Sequence, residues 1–205
     1  MTANSIARLK VTLNDVKPPV QRRVEVPLAI RLDRLHLVLQ AAIGWTNSHL
    51  YEIRARDDAK KARLIDVLED AGVKTVKYLY DFGDGWEHTV KVERITDAIP
   101  GLAYPVLIDA TGRCPPEDVG GPWGYDEFLD ALADPAHENH AETAEWIGDR
   151  FDPKAVDVRR FPTMSRHLPR HGPANRPPSA RDPPNPRPSP DGYGSEPSPI
   201  DATVT

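Results

Sequence analysis

Along residues 6–13, Leu9, Val11 and Leu13 alternate with Arg8, Lys10 and Thr12, and this period of two predicts a strand with one buried face. A proline break at Pro18 and Pro19 follows, and then Val24 and Val26 alternate with Arg23 and Glu25 up to Pro27, a hairpin partner for the first strand. The period then changes. Leu32, Leu35, Leu39 and Ile43 recur every three or four residues and Gly44 follows them, which predicts a helix closed by a glycine cap. Residues 50–55 read as a short strand with Tyr51 and Ile53 on one face. A charged link leads to a second helix bearing Leu64, Leu68 and Ala71, ended by Gly72.

The next stretch predicts a hairpin. Val76, Tyr78, Tyr80 and Phe82 alternate up to Gly83-Asp84-Gly85, after which Trp86, His88, Val90 and Val92 alternate again. Parity limits the turn. A two-residue turn would set Phe82 against Glu87 and Tyr80 against Thr89, mixing apolar with polar faces. A three-residue loop with Gly85 left-handed pairs Phe82 with Trp86, Tyr80 with His88, Tyr78 with Val90 and Val76 with Val92. That register buries His88 among aromatics and leaves Asp81 opposite Glu87 on the other face.

A further strand is expected at residues 104–110 and a Pro/Gly-rich loop at 112–124. Then comes a helix capped by Asp126, carrying Phe128, Leu129 and Leu132 and stopped by Pro135. A last helix begins near Glu138 and is anchored by Trp146, with Phe151, Val156 and Val158 closing the core. Strand and helix signals are interspersed without βαβ alternation, so the fold class is α+β: one domain, residues 1–161, with a mainly antiparallel sheet and helices on one face. Twelve of the 22 prolines lie in residues 162–205, where five arginines face four acids. This composition predicts a disordered, polyproline-like tail.

Four segments carry a resemblance. LHLVLQAAIGWTNSHLYEI at 35–53, YLYDFGDGWEHTVKVE at 78–93, CPPEDVGGPWGYDEFLDAL at 114–132 and WIGDRFDPKAVD at 146–157 together resemble the plasmid Ri Orf-3-like family, whose members are also described as passenger proteins of transposable elements. The resemblance covers roughly residues 6–158 and implies a compact α+β domain encoded on bacterial chromosomes, plasmids and insertion elements. It implies no biochemical activity. Two departures matter: the stretch between Ile53 and Leu64 is shorter than in relatives, and Val119 stands where relatives often carry a second cysteine.

Charge is unevenly distributed. Residues 1–63 hold twelve Lys/Arg and six Asp/Glu, whereas residues 64–161 hold nine and twenty-one. Residues 114–149 contain ten acids and no Lys or Arg, a segment that attracts cations or basic partners and repels phosphates. Nucleic acid is therefore expected only through the basic N-terminal third. The lone Cys114 excludes an intrachain disulfide and fits a reducing compartment, and no apolar run reaches the ~18 residues of a membrane span. A cytoplasmic protein with no membrane partner is expected.

Candidate chemistry concentrates in three places. Asp81 and Glu87, if opposed, form a structural salt-bridge network with Lys77 and Lys91, a ligand site, or a proton-sharing pair. Cys114, Glu117, Asp118, His137 and His140 have the donor types for zinc, but their spacing is weak and no metal or cofactor is expected. The loop from Pro115 to Tyr125 combines paired glycines, two acids and two aromatics. Packed on the hairpin, it would make an acidic, aromatic-edged pocket from Asp81, Asp84, Trp86, Glu87, Glu117, Asp118, Trp123 and Tyr125. Such a pocket suits a protein partner or a small cationic ligand in a non-enzymatic binding module. The second class is a metal-dependent hydrolase or nuclease using the same acids and histidines.

Overall fold

A computed structural model describes residues 4–54, 62–148, 151–156 and 161. The expected tail, residues 162–205, lies outside them. In chain order the elements are β1 (Ser5–Leu13), β2 (Gln21–Pro27), α1 (Leu32–Ile43), β3 (Tyr51–Arg54), α2 (Leu64–Ala71), β4 (Thr75–Tyr80), β5 (Trp86–Asp97), β6 (Val106–Thr111), α3 (Gly121–Ala133) and α4 (His140–Ile147). The strands form one antiparallel sheet in the order β3-β4-β5-β1-β2-β6, which is the α+β architecture the alternation predicts.

Side chains alternate across this sheet as the period of two requires. Leu9, Val11, Leu13, Val24, Val26, Val76, Tyr78, Tyr80, Trp86, Val90 and Val92 point into one core with Leu35, Leu39 and Ile43 of α1. Burial of these apolar side chains, each worth about 1.5–3 kcal/mol, holds helix and sheet together. Gly44 and Gly72 close α1 and α2 in the left-handed conformation, as expected. The opposite sheet face carries ionic ladders: Arg8 to Glu25 at 2.7 Å, Arg23 to Asp109 at 2.7 Å and Arg23 to Glu93 at 3.1 Å.

Four local expectations are corrected. The β4–β5 pairs are Tyr80–Trp86, Tyr78–His88 and Val76–Val90, so the loop has five residues rather than three. Parity is preserved because three and five differ by one pleat. Glu87 therefore faces Leu79, not Asp81, and lies 3.7 Å from Arg54, while Phe82 is thrown out to solvent at 56% exposure. The helix expected from Asp126 begins at Gly121, with Pro122 in its first turn where a missing N–H costs nothing. Trp146, expected as an anchor, is half exposed while its ring meets Phe128 edge-on.

Arg22 was not expected in the core. It occupies a core-facing position of β2 at 1% exposure, donating from Nε to Ala42 O at 2.7 Å and from Nη1 to Gln21 O and Thr111 O, each at 2.8 Å. A buried guanidinium tied to carbonyls rather than to a carboxylate fastens α1 to the β2–β6 edge.

Candidate cation site at the hairpin turn

The site forms where three connecting segments meet: residues 44–50 after α1, the turn 81–85 and the loop 112–120. A closed ring of hydrogen bonds shapes the first. Gln40 Nε2 donates to the Tyr78 hydroxyl at 2.8 Å, which donates to His36 Nδ1 at 2.9 Å; His36 Nε2 donates to Asn47 Oδ1 at 2.6 Å, and the Asn47 amide returns to Gln40 Oε1 at 3.1 Å. Burial holds the Tyr78 hydroxyl well above the usual phenol range, so it stays a donor. Asn47 is thereby fixed in a left-handed conformation, φ 61°, which sets the direction of the next two residues.

Tyr80 joins that segment to the acidic loop. Its hydroxyl accepts the amides of Ser48 and His49 at 3.1 and 3.3 Å and donates to Glu117 Oε1 at 2.7 Å. Burial, reinforced by the Glu117 carboxylate, pushes its pKa up to about 12. Glu117 also accepts the Thr46 amide and the Thr46 hydroxyl. Trp45 completes the seam: its Nε1 donates to Pro115 O at 3.0 Å, and its ring stacks on Tyr80 and meets His88 edge-on.

The turn supplies the third side. Asp81 leaves β4 with φ 57°, its amide donates to Leu50 O at 2.9 Å and its Oδ1 accepts the Gly83 amide at 2.9 Å. Asp84 Oδ2 accepts the Gly120 amide, and a Cβ on Gly121 would stand 2.3 Å from Asp84 O, so only glycine admits this contact. The hairpin and the Pro/Gly-rich loop thus meet, as expected from the sequence. They do so through backbone and carboxylates: Trp123 is 88% exposed, and Tyr125 is buried with ring partners Phe128 and Phe151 rather than covering the hairpin aromatics.

Between the segments lie His49, Asp81 and Asp118. His49 Nδ1 is 3.6 Å from Asp81 Oδ2, and His49 Nε2 is 3.2 Å from Asp118 Oδ1. One ligand atom from each of the three lies within 4.8 Å of the others. Nε2 is buried, yet it makes no hydrogen bond of acceptable geometry among the described residues. A neutral imidazole has a single N–H, so one of its nitrogens must turn a lone pair towards a carboxylate. That arrangement is repulsive unless the ring is protonated or a cation lies between. Asp118, at φ 61° and with a side chain 71% exposed, is the solvent-facing member. Beside it opens a cleft of about 390 Å³ lined by Glu127, Phe128, Glu142 and Trp146.

Of the expected site residues, the structure sets Asp81 and Asp118 against His49, ties Glu117 to Tyr80 and Thr46 and Asp84 to the Gly120 amide, buries Trp86 and Tyr125 in the core, and leaves Glu87 on the far sheet face and Trp123 in solvent. The zinc-type set is dispersed. Cys114 lines a separate cavity of about 430 Å³ with Trp45, and burial pushes its thiol up. His140 is engaged with Ala131 O at 2.8 Å, and His137 Nδ1 accepts the Asn139 amide. His49 lies inside the 35–53 segment that carries the family resemblance, but no role is assigned to it there, and it is the residue the reading missed.

Comparison with known proteins bears on fold and family. The chain is 60% identical over 173 residues to "Uncharacterized protein y4hQ" of Sinorhizobium fredii (strain NBRC 101917 / NGR234), covering 77% of this chain and 89% of that relative. A crystal structure of a protein of unknown function, MM3350 from Methanosarcina mazei Go1, shares 34% identity and superposes with a TM-score of 0.69 over 77% of this chain and 98% of that one. The family model for the plasmid pRiA4b ORF-3-like protein matches residues 5–160, and the chain belongs to that family.

Proposed function

We propose that the domain is a non-enzymatic binding module whose ligand is a cation, and that His49, Asp81 and Asp118 hold a divalent metal ion. The observation that carries this is the placement of one imidazole nitrogen and two carboxylates within 4.8 Å of one another, with Nε2 lacking a hydrogen bond. Imidazole with carboxylates suits first-row divalent ions such as zinc or manganese better than calcium. At metal–ligand distances of about 2.0–2.2 Å, two ligand atoms are at most about 4.4 Å apart. The exposed Asp118 side chain would swing in by well under an ångström to complete the set, while Asp81 is held by Gly83 and His49 by Tyr80.

The environment favours binding over turnover. Glu117 already accepts Tyr80 and Thr46, and Asp84 accepts Gly120, so neither carboxylate is free as a general base. The acidic, aromatic-edged cleft beside Asp118 is where an amine or a basic protein segment would approach. Three protein ligands leave open positions, which keeps metal-dependent hydrolysis as the second reading.

Titration calorimetry of chelator-treated protein with Zn²⁺ and Mn²⁺, with an aryl phosphodiester assay on the loaded protein, tests both. One ion per chain, lost in Asp81→Asn and in His49→Ala, is expected. Heat identical in wild type and variants would show that His49, Asp81 and Asp118 form no metal site. Turnover abolished by Asp118→Asn would establish the hydrolase instead.

A further inference from the structure

Away from the core the sheet is open along β4 and β5, where Lys77 and Lys91 are exposed and Lys10 beside them is partly so, while Ile6, Glu25 and Val106 are buried at its other end; the strand register places the charges. Lys10 of β1 stands directly opposite Lys91 of β5 and, on its other side, opposite Arg23 of β2. Lys77 of β4 pairs with Thr89, one step along from Lys91, and Thr89 in turn pairs with Thr12. Like charges opposed across a ladder are destabilising unless something neutralises them. The arginines of this face are neutralised: Arg8 and Arg94 share Glu25, Arg23 holds Glu93 and Asp109, and Arg54 holds Glu52 and lies near Glu87. Lys10, Lys77 and Lys91 have no carboxylate partner among the described residues; Lys77 donates only to the Thr89 hydroxyl at 3.0 Å.

From this juxtaposition we infer that the open face between β4 and β2 is a docking surface for the phosphate backbone of a nucleic acid. Three lysines sit on three adjacent strands, β4, β5 and β1, at the strand spacing of about 4.8 Å, and therefore span about 10 Å across the sheet. A small free anion gains little from solvated lysines on a flat face. A linear polymer engages all three at once and releases its condensed counterions, a gain that grows with each phosphate neutralised. The Thr12 hydroxyl and the Gln21 amide on the same face are the usual auxiliary donors to phosphate oxygens. The aromatic residues of β4 and β5, Tyr78, Tyr80 and Trp86, all lie on the core side and β1 has none, so binding on this face reads the backbone and not the bases. Two of the three lysines lie beyond the N-terminal third, which the linear charge count had marked as the only basic region.

Fluorescence anisotropy of a labelled 20-base-pair duplex with the full chain tests the inference. Neutralising three phosphates predicts a slope of log K against log [salt] near −2.7, so affinity should fall roughly 40-fold between 50 and 200 mM monovalent salt. The variant Lys10→Gln/Lys77→Gln/Lys91→Gln should lose most of the binding at 50 mM and flatten that slope, with its unfolding midpoint unchanged or raised by relief of repulsion. Equal binding by wild type and variant would assign any affinity to the arginines of residues 162–205 and overturn the proposal. Absence of binding at 50 mM would also overturn it. So would lysine-dependent self-association in sedimentation velocity, which would make the acidic 114–149 segment of a second copy the occupant.

Discussion

His88 offers a pH experiment whose size follows from its surroundings. The ring is fully buried between Trp45 and Tyr78, its Nδ1–H donates to Trp86 O at 3.0 Å, and Nε2 has no partner among the described residues. Burial lowers its pKa from 6.5 to about 4. The unfolded chain therefore takes up a proton near pH 6.5 that the folded domain refuses until about pH 4. The stability contributed by the neutral ring is complete above pH 6.5 and drains away as pH falls through that window. Over the full shift the loss is about 3 kcal/mol, of which about 2 kcal/mol has gone by pH 5.

Urea unfolding at pH 7.5 and pH 5.0 measures this directly. Wild type should lose about 2 kcal/mol more between those conditions than His88→Gln, which cannot titrate. The variant should be the weaker protein at pH 7.5, because an amide fills the site less well and must find new partners. The comparison removes the contribution of carboxylates, which titrate alike in both proteins. Parallel pH dependences would mean that His88 admits a proton while folded, and the buried assignment would fall.

Two further outcomes follow from contacts at the site. Gly121→Ala puts a methyl carbon 2.3 Å from Asp84 O at φ +72°, so it should cost about 1–2 kcal/mol for the left-handed backbone and about 1–3 kcal/mol for the clash; a urea midpoint equal to that of wild type would show that the loop does not lie against the turn. Tyr80→Phe leaves Glu117 and the Ser48 and His49 amides without their shared hydroxyl, so metal affinity by calorimetry should drop about 10- to 100-fold while the binding stoichiometry stays at one; unchanged affinity would show that Tyr80 does not position His49.

Strand faces, the α1 and α2 glycine caps and the burial of His88 were legible because each leaves a periodic or local mark in the sequence. The turn length was not. Loops of three and five residues give the same parity, and the choice between them depends on Asp81 turning left-handed and taking the Gly83 amide. Nothing in the alternation of Phe82 with Tyr80 records that turn. Arg22 illustrates a second blind spot. Its core-facing position reads as polar in the sequence, while the carbonyls of Ala42, Gln21 and Thr111 that make its burial tolerable are backbone groups contributed by any residue type. His49 illustrates a third, since it lies in coil between α1 and β3 and is placed by a tyrosine hydroxyl bonding its own amide.

The backbone itself separates this site from an ordinary cluster of surface acids. Among the described residues four non-glycines have left-handed φ: Asp15, Asn47, Asp81 and Asp118. Asp15 belongs to the β1–β2 connection, where a tight turn accounts for it. The other three come from three different segments and converge on His49. Each such residue costs of order 1 kcal/mol or more, though Asn and Asp tolerate the region better than most. Such conformations persist only where neighbouring contacts over-determine them, and here the Gln40–Tyr78–His36–Asn47 ring, the Tyr80–Glu117 bridge and the Gly121–Asp84 contact do so. A fold that needed only to close its core could have joined these strands with relaxed turns. Holding an imidazole between two carboxylates gives the strained segments a common purpose, and a bound cation would offset the repulsion they create.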